Sequence, residues 1–129
     1  MAHPIYPRLR IFDGSSVDTK IVSIVSNKAA KSERVMVILD SNHTHEHVLG
    51  ELNLYASLVS VGSYCVVFDT VIEDLEGVEF VDRPWGKGDN PKTAVAEFLK
   101  TNSDFVVDQG IDEKLLISAA PGGYLKRIK

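Results

Sequence analysis

The chain has a single cysteine, no long hydrophobic run and no cluster of basic residues, and each of these scarcities excludes a class of protein. With Cys65 alone, no internal disulfide can form, and its Tyr-Cys-Val-Val-Phe setting is typical of a buried thiol that packs as a small hydrophobe. No stretch reaches the roughly 20 apolar residues that span a bilayer, and the first residues do not resemble a signal peptide. We therefore expect a cytoplasmic protein with no membrane partner.

The charge balance argues against a nucleic-acid partner. The formal net charge is −4, and the lysines and arginines are scattered along the chain. Non-specific affinity for nucleic acids depends on clustered basic side chains, which this chain lacks. The 129 residues, 44% hydrophobic and 25% charged, fit one globular domain over residues 1–129.

Apolar runs that alternate with helical patterns predict an α/β fold with a mostly parallel sheet and flanking helices. The expected strands are Arg8–Phe12, Val35–Leu39, Tyr64–Phe68, Phe105–Val107 and Leu115–Ala119, with a short one at Val78–Val81 inside the long loop Val71–Asp89. Val35–Leu39 and Tyr64–Phe68 are continuous apolar runs, which indicates strands buried on both faces. The expected helices are Val17–Lys31, His45–Leu58 and Asn90–Lys100, the last with Asn90 as N-cap and Pro91 in its first turn.

Two carboxylates follow the two most apolar strands. Asp40 comes directly after Val35–Leu39 and Asp69 directly after Tyr64–Phe68, with one helix between. If these strands are parallel neighbours, the carboxylates stand side by side at the edge where open α/β sheets bind ligands. A hard divalent cation with oxygen ligands would relieve their repulsion. The alternative is that each acid only caps the helix that follows it.

The segment after Asp40 contains a candidate general base. Three histidines occur at alternate positions, His43, His45 and His47, but zinc sites on helices favour spacings of three or four, so we do not expect a three-histidine zinc site. Histidine titrates near neutrality, and His43 lies in the turn three residues past Asp40, which favours it as the base.

Three other polar segments give weaker signals. Gly14-Ser15-Ser16 is either a ligand-binding turn or simply a turn before a helix. Glu73 and Asp74 form an acidic pair in the long loop, where such pairs are usually solvated. The Arg83–Asn90 segment, with Trp85, two cations and two glycines, has a composition that suits a lid over a substrate.

Taken together, these motifs resemble the cephalosporin hydroxylase family, also called the rhamnosyl O-methyltransferase family. The residues that carry the resemblance are Gly14–Ser16, Leu39–Val48, Val66–Asp74, Asp82–Val95 and Leu115–Arg127. The resemblance implies a class I methyltransferase that uses S-adenosylmethionine (SAM) and has a Rossmann-like sheet. It implies cofactor contacts at Gly14, Ser15, Ser16 and Ser41, and a small hydroxylated molecule or a sugar as the acceptor.

The pattern is also similar to that of metal-dependent catechol and caffeoyl-CoA O-methyltransferases. In those enzymes an Asp after one strand and Asp-Asn after the next hold a divalent ion, and a Lys three residues past the first Asp is the base. The matching positions are Asp40, Asp69-Thr70 and His43, with Mg²⁺ or another divalent ion implied. Thr70 stands where those enzymes have Asn, which leaves Glu73 or Asp74 as substitute ligands, and His43 replaces the Lys.

The chain departs from the cephalosporin hydroxylase family pattern in the residues before Arg8. It has no glycine-rich turn for the methionine end of SAM and no acidic residue for the ribose. We therefore expect a truncated Rossmann-like sheet, the C-terminal portion of a methyltransferase fold. Two functions remain open: an O-methyltransferase or its catalytic half, and a non-catalytic metal- or ligand-binding module. The apolar Val35–Leu39 strand would lack a neighbour, so either Arg8–Phe12 pairs with it or another chain does. We expect the second, a homo-oligomer with the edge near Val35–Leu39 or the loop Val71–Asp89 in the interface.

Overall fold

The computed structural model describes residues 8–129, so the part of the expected domain before residue 8 lies outside the described residues. Its helices are α1 (Thr19–Ala29), α2 (His45–Tyr55), α3 (Pro91–Thr101) and α4 (Gln109–Leu115), with 3₁₀ turns at Ala56–Leu58 and Thr70–Asp74. Its strands are β1 (Val37–Leu39), β2 (Tyr64–Val67), β3 (Phe105–Val107) and β4 (Tyr124–Arg127). Between residues 8 and 129, no helix is long and apolar enough to cross a membrane.

Helix α3 begins where the sequence predicts. The Asn90 side chain accepts hydrogen bonds from the backbone N–H groups of Lys92 and Thr93, and Pro91 occupies the first turn. The Thr93 hydroxyl oxygen accepts the backbone N–H of Asn90, which completes a capping box. These contacts satisfy N–H groups that a helix start otherwise leaves unpaired, so the boundary follows from local sequence.

The four strands form one sheet in the order β1-β2-β4-β3. β1 pairs with β2 in parallel, with Leu39 opposite Val67, as the two apolar runs predict. β4 lies between β2 and β3 and is antiparallel to both. The α/β class is therefore confirmed, but the expectation of a mostly parallel sheet is not, because two of the three strand pairs are antiparallel.

Three predicted strands are wrong. Leu115 ends α4, and Leu116 has a positive φ of 61° that breaks the apolar run, so residues 115–119 do not extend. The strand that pairs with β2 on this side is β4, which the sequence did not predict. Val78–Val81 lies in the long loop with Val81 largely exposed, since the run has no partner strand. Arg8–Phe12 likewise lies outside the sheet.

The core lies between the sheet and the helices α2 and α3. It consists of buried apolar side chains from both helices, from the turn after α2 and from the four strands: Leu39, Val48, Leu52, Tyr55, Ala56, Val59, Cys65, Val67, Ala94, Val95, Phe98, Phe105 and Leu125. β2 is buried as predicted. β1 is not, because it is the edge strand, and more than half of the Met36 and Ile38 side chains is exposed.

Candidate functional site

The site begins at the carboxyl ends of β1 and β2. Asp40 follows β1 directly, and the ladder continues past β2 through a 3.0 Å bond from the Phe68 N–H to the Leu39 carbonyl. Asp69, the next residue, has a φ of 56° and turns the chain into the Thr70–Asp74 3₁₀ turn. Aspartate tolerates this left-handed conformation better than most residues. The parallel pairing thus brings both carboxylates to one edge of the sheet.

His43 completes a compact cluster with these two acids. One ligand-type atom from each of Asp40, His43 and Asp69 lies within 4.8 Å of the other two. His43 Nε2 is 2.9 Å from Asp69 Oδ2, and both side chains are about one quarter to one third exposed, at 23% and 32%. Asp40 is exposed. The structure therefore brings together the two acids and the histidine that the sequence selects.

A cleft of about 340 Å³ opens beside His43. Its walls come from the turn after β1 and from the long loop: Ser41, Asn42, His43, Arg83, Pro84 and Trp85. The ring of Trp85 lies 5.2 Å from that of His43 and 4.7 Å from that of Phe80, measured between centroids. The Arg83 guanidinium carbon stands 5.8 Å from the Trp85 ring centre. The segment predicted to be a lid therefore forms one wall of this cleft.

A second cavity, which we call the edge groove, has a volume of about 510 Å³ and runs along the open side of β1. Its apolar walls are Phe12, Ile21, Val25 and residues 36–39, and its polar end consists of Gly14, Ser16, Asp40, Ser41, Glu51 and Tyr55. Three of the four predicted cofactor residues thus line one cavity. Ser15 is not among them, and its carbonyl accepts the Asp18 N–H in the turn before α1. Ser41 lines both the cleft and the edge groove.

The polar end of the edge groove contains two residues that the sequence analysis missed, Glu51 and Tyr55. Ser16 Oγ lies 2.9 Å from His47 Nε2, and the Ser41 hydroxyl donates to Glu51 Oε1 at 2.7 Å. Tyr55 donates its hydroxyl to the Ser16 carbonyl. Burial, and next the nearby Glu51 carboxylate, raise the pKa of Tyr55. The sequence signal that could have identified Glu51 is its position on the apolar face of α2, between Val48 and Leu52.

The remaining predicted ligands are occupied elsewhere. Thr70 is buried and donates its hydroxyl to the Pro121 carbonyl at 3.0 Å. Glu73 accepts the Gly88 N–H and the Asn90 side-chain amide, and these bonds, the Gly88 one foremost, lower its pKa. Asp74 forms a 2.5 Å ion pair with Lys92. Glu73 and Asp74 stabilise the long loop and the start of α3, whereas Thr70 binds the turn before β4. The ligand-atom cluster found within residues 8–129 includes none of the three.

Comparison with known proteins identifies the family. The model of the rhamnosyl O-methyltransferase/CmcI family matches residues 1–128. The chain belongs to this family. Its relatives include rhamnosyl O-methyltransferases from Mycobacterium bovis (strain BCG / Pasteur 1173P2) and Mycobacterium tuberculosis (strain ATCC 25618 / H37Rv), each 29% identical over 123 residues. The match covers 94% of this chain and 48% of each relative, so the chain spans about half the length of the curated relatives it matches. No solved structure matches significantly.

The donor set of this rhamnosyl O-methyltransferase/CmcI family member suits a divalent ion. Mg²⁺ and Mn²⁺ prefer carboxylate oxygens, and Mg²⁺ takes its ligands at about 2.0–2.1 Å. Ligands on one such ion are therefore separated by no more than about 4–5 Å, which is the spacing within the Asp40, His43 and Asp69 cluster. Asp40 and Asp69 would hold the ion.

The buried thiol belongs to the core and not to the site. Cys65 lies on β2 with no exposed surface, and burial raises its pKa to about 12. Its negative neighbour Glu51 contributes in the same direction. A reactive cysteine needs a lowered pKa and access to solvent, and Cys65 has neither.

Proposed function

We propose that this chain carries the metal- and acceptor-binding portion of a SAM-dependent O-methyltransferase that acts on a sugar or another small hydroxylated molecule. The observation that carries the proposal is the cluster of Asp40, His43 and Asp69, which stands at the junction of the cleft and the edge groove. A methyltransferase needs an acceptor, a methyl donor and a base in one place. The cleft has room for the acceptor and the edge groove for the methyl donor, and Ser41 lines both cavities.

The acids and the histidine have separate roles in this proposal. Asp40 and Asp69 hold the divalent ion, which when bound supplies positive charge that acidifies and orients the acceptor hydroxyl. His43 takes the hydroxyl proton. Because Asp69 Oδ2 lies 2.9 Å from Nε2, it accepts the Nε2–H and leaves a lone pair on Nδ1 for that proton. Trp85 packs against the imidazole and restricts its orientation.

The edge groove is the proposed place for SAM, which when bound supplies the methyl group. Gly14, Ser16 and Ser41 line it, as the family resemblance implies, and its apolar walls suit a purine ring. Supporting this assignment, β1, α2 and β2 form a strand–helix–strand unit with parallel strands, the building block of Rossmann-like sheets. Because the relatives are rhamnosyl O-methyltransferases, a rhamnosyl group is the first acceptor to test.

Calorimetry tests the enzyme proposal most simply. SAM is titrated into the protein with and without Mg²⁺, and binding at micromolar affinity supports the proposal. No heat of binding up to millimolar SAM under both conditions overturns its cofactor part. The variant His43→Gln should bind SAM as the wild type does, since the imidazole serves the acceptor side. The matched control His45→Gln alters a histidine that contacts Thr93 and Glu97 instead.

The open edge of β1 favours a second function, a non-catalytic oligomeric module that binds a metal or ligand. Edge strands with exposed apolar side chains promote association, and Met36 and Ile38 are 56% and 54% exposed. The simplest assembly is a two-fold homodimer through this edge. Sedimentation velocity at micromolar concentration should show a dimer that the variant Ile38→Lys dissociates. A wild type that sediments as a monomer contradicts the dimer.

A further inference from the structure

Glu51 has an environment that the fold alone does not explain. The residue is 2% exposed, and its Oε2 atom has no hydrogen-bond partner in the described structure. Its other oxygen accepts from Ser41 at 2.7 Å. A buried carboxylate oxygen without a donor is destabilising, and such groups are rare in native proteins. An apolar side chain such as leucine would avoid this cost on this face of α2.

The neighbours of Glu51 do not neutralise it. Across residues 8–129, no lysine or arginine forms an ion pair with its carboxylate, and the Nε2 atom of His47 lies 3.7 Å from Oε1. His47 is itself engaged with Ser16 at 2.9 Å. The Oε2 atom of Glu51 is therefore an acceptor without a donor in the described structure. Because the last torsion of a glutamate side chain is soft, a small rotation can share the two oxygens differently between Ser41 and a new donor.

The edge groove is the cavity from which a new donor would reach Glu51. Glu51 lines the edge groove, at the polar end that also contains Ser16, Ser41 and Tyr55. The rest of the groove is apolar. A ligand that satisfies both parts has a flat or apolar ring for the walls and an N–H or O–H group for the carboxylate. A nucleoside has this combination.

We infer that Glu51 is a ligand-binding residue of the edge groove, which accepts a hydrogen bond from an amino or hydroxyl group of a nucleoside-type ligand. The inference rests on the proposed function, in which SAM occupies this groove, and extends it by assigning a recognition residue on α2. The adenosine part of SAM offers two sources of the donor, the exocyclic amine of the base and the ribose hydroxyls.

The variant Glu51→Gln separates recognition from structure. Its side-chain carbonyl can still accept from Ser41, whereas its NH₂ group replaces the free oxygen and meets the ligand donor with another donor. We expect E51Q to bind SAM about 10- to 100-fold more weakly than wild type, the usual effect of losing a hydrogen bond to a charged acceptor. Glu46→Gln is the matched control, because Glu46 is an exposed acid in the first turn of the same helix.

Titration calorimetry of SAM into wild type, E51Q and E46Q decides the question, with thermal melts to establish folding. Weakening in E51Q alone supports the inference. E51Q within about twofold of wild type overturns it and leaves the proposed function standing. Wild type that binds neither SAM nor adenosine overturns both the inference and the proposed function.

If E51Q fails to fold, Glu51→Asp withdraws the carboxylate by one methylene and should weaken binding similarly. Adenosine analogues that lack the amine or one hydroxyl then identify the donor, since the matching analogue binds wild type and variant equally.

Discussion

Replacing Gly123 by alanine tests how closely β2 and the turn before β4 must approach. A Cβ at this position would lie 2.1 Å from the Val67 carbonyl oxygen, where real Cβ atoms essentially never come within 3.0 Å, so the two backbones would have to separate by about 0.9 Å. The separation also strains the 2.9 Å bond from the Val67 N–H to the Gly123 carbonyl. Overpacking against backbone, with a weakened buried hydrogen bond, should lower the free energy of unfolding by about 3 kcal/mol.

Urea unfolding followed by circular dichroism measures this change. At this chain length the loss corresponds to a fall of about 10 °C in melting temperature. Gly86→Ala is the control, because the added methyl meets no atom within 4 Å and should change stability by less than about 0.5 kcal/mol. Because Asp69 lies two residues beyond Val67, any G123A protein that folds should also lose affinity for divalent ions. A G123A protein within about 1 kcal/mol of G86A would refute the reasoning.

Three further predictions concern the helices, the thiol and the long loop. Gly50→Ala should raise the free energy of unfolding by about 0.5–1 kcal/mol in urea titrations, because its Cβ would meet only Val17, at 3.6 Å, and alanine favours the helix; a loss of stability would contradict this. Iodoacetamide should modify Cys65 at pH 7 only after denaturation, because the folded thiol is buried with a pKa of about 12; rapid native labelling would refute the burial. Glu73→Gln should be less stable than wild type above pH 4.5, the ordinary pKa of glutamate. Since folding lowers the pKa of Glu73, this difference should vanish as the pH falls through the lower folded value, and a difference that grows in acid would contradict the assignment.

Local signals predicted the elements that depend on local contacts. The Asn90-Pro91 pair marks the start of α3 because the cap and the first turn involve only neighbouring residues. The apolar run of β2 is predictable because a strand buried on both faces needs a continuous apolar sequence. Together with β1 it also placed Asp40 and Asp69 at one edge of the sheet, which is why the acidic pair could be selected from sequence.

The rest depends on contacts between distant residues. Tyr124–Arg127 is half charged and does not read as a central strand, yet it inserts between β2 and β3, while the more apolar Leu115–Ala119 remains outside the sheet. The apolar composition of β1 predicted a strand buried on both faces, but Met36 and Ile38 are exposed, since burial depends on which elements pack against the strand. Glu51 was missed because its burial follows from how α2 packs, and no sequence pattern records the partners of a single carboxylate.

The central claim is that Asp40 and Asp69 hold a divalent ion, and Mn²⁺ binding measured by calorimetry in parallel with electron paramagnetic resonance tests it most directly. The account predicts one site in the wild type that Asp40→Asn and Asp69→Asn each abolish. Asp74→Asn, which removes an acid paired with Lys92 on the neighbouring turn, should leave the site intact. A wild type that binds no Mn²⁺, or an Asp74→Asn variant that loses binding as fully as the other two, would contradict the claim.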